Sequence, residues 1–325
     1  MTLDEFSFIA QIRRTAAVTP EVAIGIGDDC AALDLPPGEQ LLVTSDLLLE
    51  GVHFRCDWTG YFDLGAKAAA VNLSDLAAMG ARPVGLVLGL GLPDRLDDTD
   101  RRELVAGFIA EAEAFETALV GGDTCRAQQF LTLSVTAFGT AAPRQVVRRG
   151  GARPGDRIFV SGTLGDSALA LKYLREGVCP EGPLAQRHHR PTARVTLGRR
   201  LAAAGVSAMI DISDGLLADL GHILEASAVG AEIITGALPL SAPFRRDLAG
   251  NPDLLQLALT GGEDYELLFT LPPEQQTAAR RAAADCGVPI REIGRILPDR
   301  EAFRLVAADG TRSLPKQRGF DHFRA

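Results

Sequence analysis

Cysteine is scarce in this chain, and long apolar runs and basic runs are missing from it. The five cysteines (Cys30, Cys56, Cys125, Cys179 and Cys286) are odd in number, scattered, and form no CxxC pair. That argues against a disulfide or zinc framework and makes a reducing cytoplasm the expected setting. No stretch approaches the roughly 20 apolar residues that cross a bilayer. The opening MTLDEFSFIAQIRR places acids before its apolar residues, unlike a signal peptide. Lys and Arg number 33 against 42 Asp and Glu, a net charge of −9, so neither a nucleic-acid surface nor a membrane is an expected partner. GxxxxGK[ST] is missing, as are kinase-type GxGxxG and HRD elements, which excludes a P-loop enzyme and an ordinary protein kinase.

What is present fits a soluble globular protein of 325 residues, 46% hydrophobic and 23% charged, long enough for two domains. The spacing predicts strands at QLLVTSD (40–46), GLVLGLGLP (85–93), TALVGGDT (117–124) and FLTLSVTAFG (130–139), with helices over 63–80 and 101–116. VVRRGGARPGDR (146–157) reads as a crossover, so we expect domains at 1–148 and 149–325. Beyond it, strand, glycine turn and helix recur in RIFVSGTLGDSALALKYLREG and in SAMIDISDGLLADLGHILEAS. The fold class expected is α/β (α+β) in both domains.

Six short acidic loops stand out: GDD (27–29), TSD (44–46), NLSD (72–75), GGD (121–123), DISD (211–214) and GGED (261–264). Taken singly, each is a turn or a helix N-cap, and Asp166 and Asp214 stand where helices should begin. Asn72 and Asp75, three apart in a helical pattern, share a face, which is also how an ordinary polar stripe looks. Taken together, such loops at strand ends lie where ligands collect in α/β folds. Converging carboxylates repel unless cations sit among them, and Mg2+ suits hard oxygen ligands while keeping waters for phosphates to replace. Thr44 and Ser45 add neutral oxygens beside Asp46. In GIGDDCAAL (25–33), the glycines allow a tight turn rather than a phosphate cradle.

These stretches, with TSDLLLEGVHF, KAAAVNLSDLAAMGARP, HHRPTAR, GGEDYELLFT and the terminal GFDHF, run in order from about residue 5 to 323. In that order the chain resembles the thiamine-monophosphate kinases, within the superfamily of aminoimidazole ribonucleotide synthetase and selenophosphate synthetase. The resemblance implies an enzyme that moves the γ-phosphoryl of ATP directly to thiamine monophosphate, giving thiamine diphosphate, the final step of that cofactor's synthesis. It implies several Mg2+ ions, ATP as co-substrate, and a homodimer whose N-terminal sheets form a barrel. It also implies a C-terminal α/β domain that completes a cleft.

By position it assigns metal roles to Asp29, Thr44, Ser45, Asp46, Asp75, Asp123, Asp211 and Asp214, with Asp28 beside them. ATP contacts fall on Gly122, Asp123, Arg149 and Ser213, and substrate contacts on His53, Glu263 and Phe320. Glu263 suits a cationic thiazolium and Phe320 a stacking face. His53 is also readable as a hydrogen-bonded core histidine, and Arg149 as a solvated linker residue. His188 and His189 are expected at a helix entry, with no chemistry assigned.

No covalent nucleophile is needed, because the acceptor phosphate is itself the nucleophile. A relative that activates selenide would want a reactive Cys or selenocysteine and a Lys in a glycine-rich N-terminal segment, and residues 1–20 contain no Cys, Lys or Gly. A non-catalytic Mg-nucleotide sensor has no use for His53, Glu263 and Phe320.

Overall fold

The computed structural model describes residues 5–27, 29–315 and 319. The chain divides into two compact units, one running to Leu76 and then over Ala81–Arg144, the other holding Ala77–Gly80 and the chain from Gln145.

The first unit contains α1 (Glu5–Thr15), β1 (Val22–Ile24), β2 (Ala32–Leu33), β3 (Gln40–Leu49), α2 (Tyr61–Ala78), β4 (Arg82–Pro93), α3 (Asp98–Ala114), β5 (Leu119–Ala127) and β6 (Thr132–Ala141). Its main sheet has the order β3-β6-β4-β5. β4 and β5 are parallel, joined through α3, while β6 runs antiparallel to both β4 and β3. α2 forms because small residues let one helix bury almost completely: Leu64, Ala66, Ala68, Ala69, Leu73 and Leu76 are all buried. Its crossing with α3 brings backbones into contact. A Cβ on Gly65 would lie 1.8 Å from the Leu104 carbonyl oxygen, and one on Gly107 1.8 Å from that of Phe62. α3 starts earlier than the apolar pattern suggests, because Asp97 and Asp100 close a reciprocal capping box.

β3 lies at a sheet edge, and its two faces differ. Leu42 and Leu48 are buried on one face, while Leu41, Val43 and Leu47 on the other are 46%, 56% and 56% exposed. Its neighbour β6 repeats the division, burying Leu133, Val135 and Ala137 and leaving Thr132, Ser134, Thr136 and Phe138 half-buried. A strand with apolar residues on both faces belongs between two layers.

The second unit holds β7 (Arg157–Ser161), α4 (Asp166–Arg175), α5 (Gly182–His189), α6 (Val195–Ala203), β8 (Ala208–Asp211), α7 (Leu216–Ser227), β9 (Gly230–Ile234), α8 (Ala242–Gly250), α9 (Leu255–Thr260), β10 (Leu267–Leu271), α10 (Gln276–Asp285), β11 (Ile290–Leu297), β12 (Phe303–Val306) and β13 (Arg312–Ser313). Its sheet runs β13-β12-β9-β11-β7-β10-β8. Among its described strands, only β12 and β9 pair in parallel. β10 is buried along its whole length, and Phe269 stacks on Phe159 of β7 with centroids 5.6 Å apart. Because β8 and β10 are antiparallel, with Asp211 opposite Leu267, the end of β8 lies beside the start of β10. DISD and GGEDYE, about 50 residues apart in sequence, meet there.

Candidate active site

The expectation that the acids cap strand ends holds for Asp211 and fails for two others. Asp46 lies inside β3 and Asp123 inside β5. Asp46 faces the buried side of the sheet, opposite Val135, and its amide donates to the Asn72 side-chain oxygen at 3.2 Å. Thr44, two residues back and so on the same face, donates its hydroxyl to Asp75 Oδ2 at 2.5 Å. Asn72 is buried and donates to the Ala68 carbonyl within α2, so the helix fixes its amide. Burial, followed by the charge of Asp75, pushes the Asp46 carboxyl up to about 6.

Ser45 necessarily points to the other face, where its hydroxyl donates to the Val135 carbonyl at 2.8 Å and lies 3.2 Å from Thr136 Oγ1. The sequence set TSD is therefore split by the pleat: Thr44 and Asp46 join Asp75, and Ser45 does not. Asp123 is exposed, as is Asp29, which follows Gly27 in the turn between β1 and β2. Gly27 has φ +119, and a Cβ there would run into the Arg13 guanidinium. Gly122 is held where a side chain would strike the Leu88 carbonyl. His53 is half-buried, and its Nδ1 accepts the Leu49 amide at 3.0 Å, which puts the proton of the neutral ring on Nε2. Asp28 and Phe320 lie outside the described residues.

In the second unit, buried Asp211 ends β8 and half-buried Asp214 follows it. The helix caps expected at Asp214 and Asp166 are a correction: the N-cap positions belong to Gly215 and Gly165, at φ +116 and +80, with Asp166 already in the first turn of α4. Backbone crowds both glycines, so a residue with a side chain has no room to cap. The job passes to remote carboxylates. Asp219 Oδ2 accepts the amides of Ser213, Asp214 and Gly215 at 3.1, 3.2 and 3.1 Å, and both oxygens of Asp264 accept the Gly165 amide at 3.0 Å. Asp166 instead takes the hydroxyls of Thr163 and Ser241, each at 2.6 Å.

Asp219 holds the DISDG turn in shape, a role its place one helical turn inside α7 did not advertise. Burial, then Asp211 and Asp214, push its carboxyl up to about 8 against the pull of the turn amides. Asp211 and Asp214 thus set negative charge beside the buried Asp219 carboxyl. Among the described residues, no group of three or more His, Cys, Asp or Glu side chains is arranged to hold a metal ion.

The GGEDYE loop is laced to DISD by Glu263 N–H to the Ser213 carbonyl (2.8 Å) and Tyr265 N–H to that of Ile212 (2.8 Å), and by Ile212 N–H to the Glu266 carbonyl (2.9 Å). Glu263 and Tyr265 adopt φ +65 and +48, a conformation that non-glycine residues enter only when surroundings hold them. Beneath them Glu266 is fully buried. It accepts from Arg187, from Arg194 at 2.8 and 2.5 Å, and from the Ser161 hydroxyl. Arg149 is exposed in the segment before β7.

Residues 27–141 match the family model described as AIR synthase related protein, N-terminal domain, and residues 153–306 match its C-terminal domain counterpart. The chain is 42% identical over 329 residues to a thiamine-monophosphate kinase of Salmonella typhimurium, covering 99% of each. A crystal structure of thiamine-monophosphate kinase from Stenotrophomonas maltophilia K279a aligns with TM-score 0.84 at 44% identity, over 96% of this chain and 99% of that one. A structure described as AaThiL complexed with AMPPCP and TMP aligns with TM-score 0.77 at 34% identity, over 99% of each chain. With both domains matched in order and relatives this similar along its whole length, the chain belongs to the thiamine-monophosphate kinase family.

Proposed function

We propose that the chain transfers the γ-phosphoryl of ATP to the phosphate of thiamine monophosphate, giving thiamine diphosphate and ADP. The observation that carries this reading is the full-length 42% identity to a protein of that name. The relative solved with AMPPCP, an ATP analogue, and TMP supports it. The acceptor phosphate oxygen is largely deprotonated near neutral pH, so the chain has to position and neutralise rather than abstract a proton. Thr44, Asp46 and Asp75 in the first unit, and Asp211 and Asp214 in the second, would hold Mg2+, with exposed Asp29 and Asp123 available to it. Ser45 is left out of this set because its hydroxyl faces away from Asp46. Mg2+, when bound, supplies charge neutralisation for the phosphates. Asp219 keeps the turn carrying Asp214 and Ser213 in one shape. Gly122, Asp123, Arg149 and Ser213 meet ATP. The Nε2–H of His53 and the carboxylate of Glu263 meet thiamine monophosphate, as does Phe320.

Purified chain with ATP, Mg2+ and thiamine monophosphate is expected to form thiamine diphosphate, measured directly by its separation from the monophosphate. Product no higher than in a boiled control sinks the reading.

The chain works as a homodimer through the outer face of β3 and β6, in the cytoplasm. The exposed Leu41, Val43 and Leu47 beside Phe138 support the first, as an apolar sheet face in want of a second layer. The described cysteines are all free, which is consistent with a reducing compartment, and no described helix is long and apolar enough to cross a membrane. Leu47→Asp would set a charge, repeated by symmetry, in that interface. It is expected to halve the mass measured by light scattering; an unchanged mass would remove this face from the interface.

A further inference from the structure

His188 was expected at a helix entry, but it sits in the last turn of α5, directly after Arg187. It is buried, its Nδ1 is 2.9 Å from the Ser167 hydroxyl, and the same atom is 3.6 Å from Glu263 Oε2. The second distance is too long for a direct hydrogen bond, so that link is electrostatic. A carboxylate on that side favours a ring carrying its proton on Nδ1, since a bare lone pair there would face negative charge. Ser167 then accepts the proton's hydrogen bond from within the buried first turn of α4.

Glu263 is the one acid of its loop turned outward. Asp264 is spent on Gly165, and Glu266 on Arg187 and Arg194. Its side chain is 26% exposed, on a backbone held at φ +65. One end of α5 thus grips the loop twice, through Arg187 on Glu266 and through His188 beside Glu263.

We propose that His188, held by Ser167, is a positioning residue that orients the Glu263 carboxylate toward the cationic ring of thiamine monophosphate. The inference rests on the kinase reading above. It selects for a positive ring and acts on the acceptor alone, leaving ATP untouched.

The test compares His188→Ala with His188→Asn, whose amide N–H stands near the Nδ1 position. Steady-state kinetics are run with each substrate varied, using thiamine monophosphate and an analogue whose thiazolium is replaced by an uncharged thiophene. His188→Ala is expected to raise KM for thiamine monophosphate roughly 10-fold while kcat, KM for ATP and KM for the uncharged analogue move less than about 2-fold. His188→Asn is expected to recover most of the loss. Equal changes for charged and uncharged acceptors, a matching rise in KM for ATP, or no recovery in His188→Asn would overturn the proposal. Should His188→Ala fail to fold, Ser167→Ala is read by the same charged-to-uncharged ratio: a fall in that ratio supports the proposal, and an unchanged one overturns it. Wild-type protein that makes no thiamine diphosphate defeats the kinase reading instead. An active wild type whose ratio falls in Glu263→Gln but not in the His188 variants defeats only the role of His188.

Discussion

Asp46→Asn is expected to lower turnover by about a thousandfold while leaving the fold at least as stable. The two effects have one cause. Asp46 is pressed against a helix-covered sheet face beside Asp75, and its carboxyl titrates at about 6 instead of 3.8. In the metal-free protein its charge is a liability. The contribution of the neutral form is complete below about pH 4 and is lost as pH rises through about 6, a difference on the order of 3 kcal/mol. The asparagine keeps shape and polarity but removes the charge, so the metal-free protein should lose that part of its pH slope. It should also lose much of the rise in melting temperature that Mg2+ gives the wild type, since an amide oxygen is a poorer ligand than a carboxylate. Thermal melts from pH 4 to 8 with and without Mg2+, beside the turnover assay, check both. Unchanged turnover would take Asp46 out of the metal set.

Glu266→Ala is expected to be the most destabilising single change outside the metal set. The carboxylate is fully buried between Arg187 and Arg194, with the Ser161 hydroxyl on Oε2. Burial already depresses both guanidinium groups, Arg194 to about 10. Removing the anion strands two partly buried cations and the serine that also receives the Leu267 amide at 2.9 Å. Breaking such a cluster costs about 3–5 kcal/mol, or roughly 10 °C in melting temperature. Glu266→Gln should fall between, because it keeps acceptor geometry and loses charge. A melting temperature within 2–3 °C of wild type, on the scale of a surface change, would show that water or rearranged side chains satisfy the arginines.

The kinds of residue at the site were legible in the chain, and their arrangement was only partly so. Asp29, Asp46, Asp75, Asp123, Asp211 and Asp214 declare themselves as acids beside glycines and small polar residues. The split of TSD did not show, because QLLVTSDLLL carries apolar residues on both faces. Which face is buried was decided by pairing with β6, nearly 90 residues away. Helix starts misled for a local reason at Asp97, whose capping box extends α3 forward, and for a nonlocal one at Asp166 and Asp214. There, crowded glycines displaced the acids from the caps, and Asp219 and Asp264 took over the orphan amides. Tertiary contacts alone reveal the meeting of HHRPTAR with GGEDYE, since two charged stretches about 70 residues apart carry no pattern that joins them.

If the acids meet phosphate through cations, the rate must depend on free Mg2+ beyond what ATP itself binds. The most direct measurement is the rate of thiamine diphosphate formation at fixed, saturating Mg·ATP and thiamine monophosphate as free Mg2+ is raised. The rate is expected to keep rising well after all ATP is complexed, with a dependence that Asp46→Asn shifts to higher Mg2+. A rate that saturates once ATP is complexed, in wild type and Asp46→Asn alike, would contradict it.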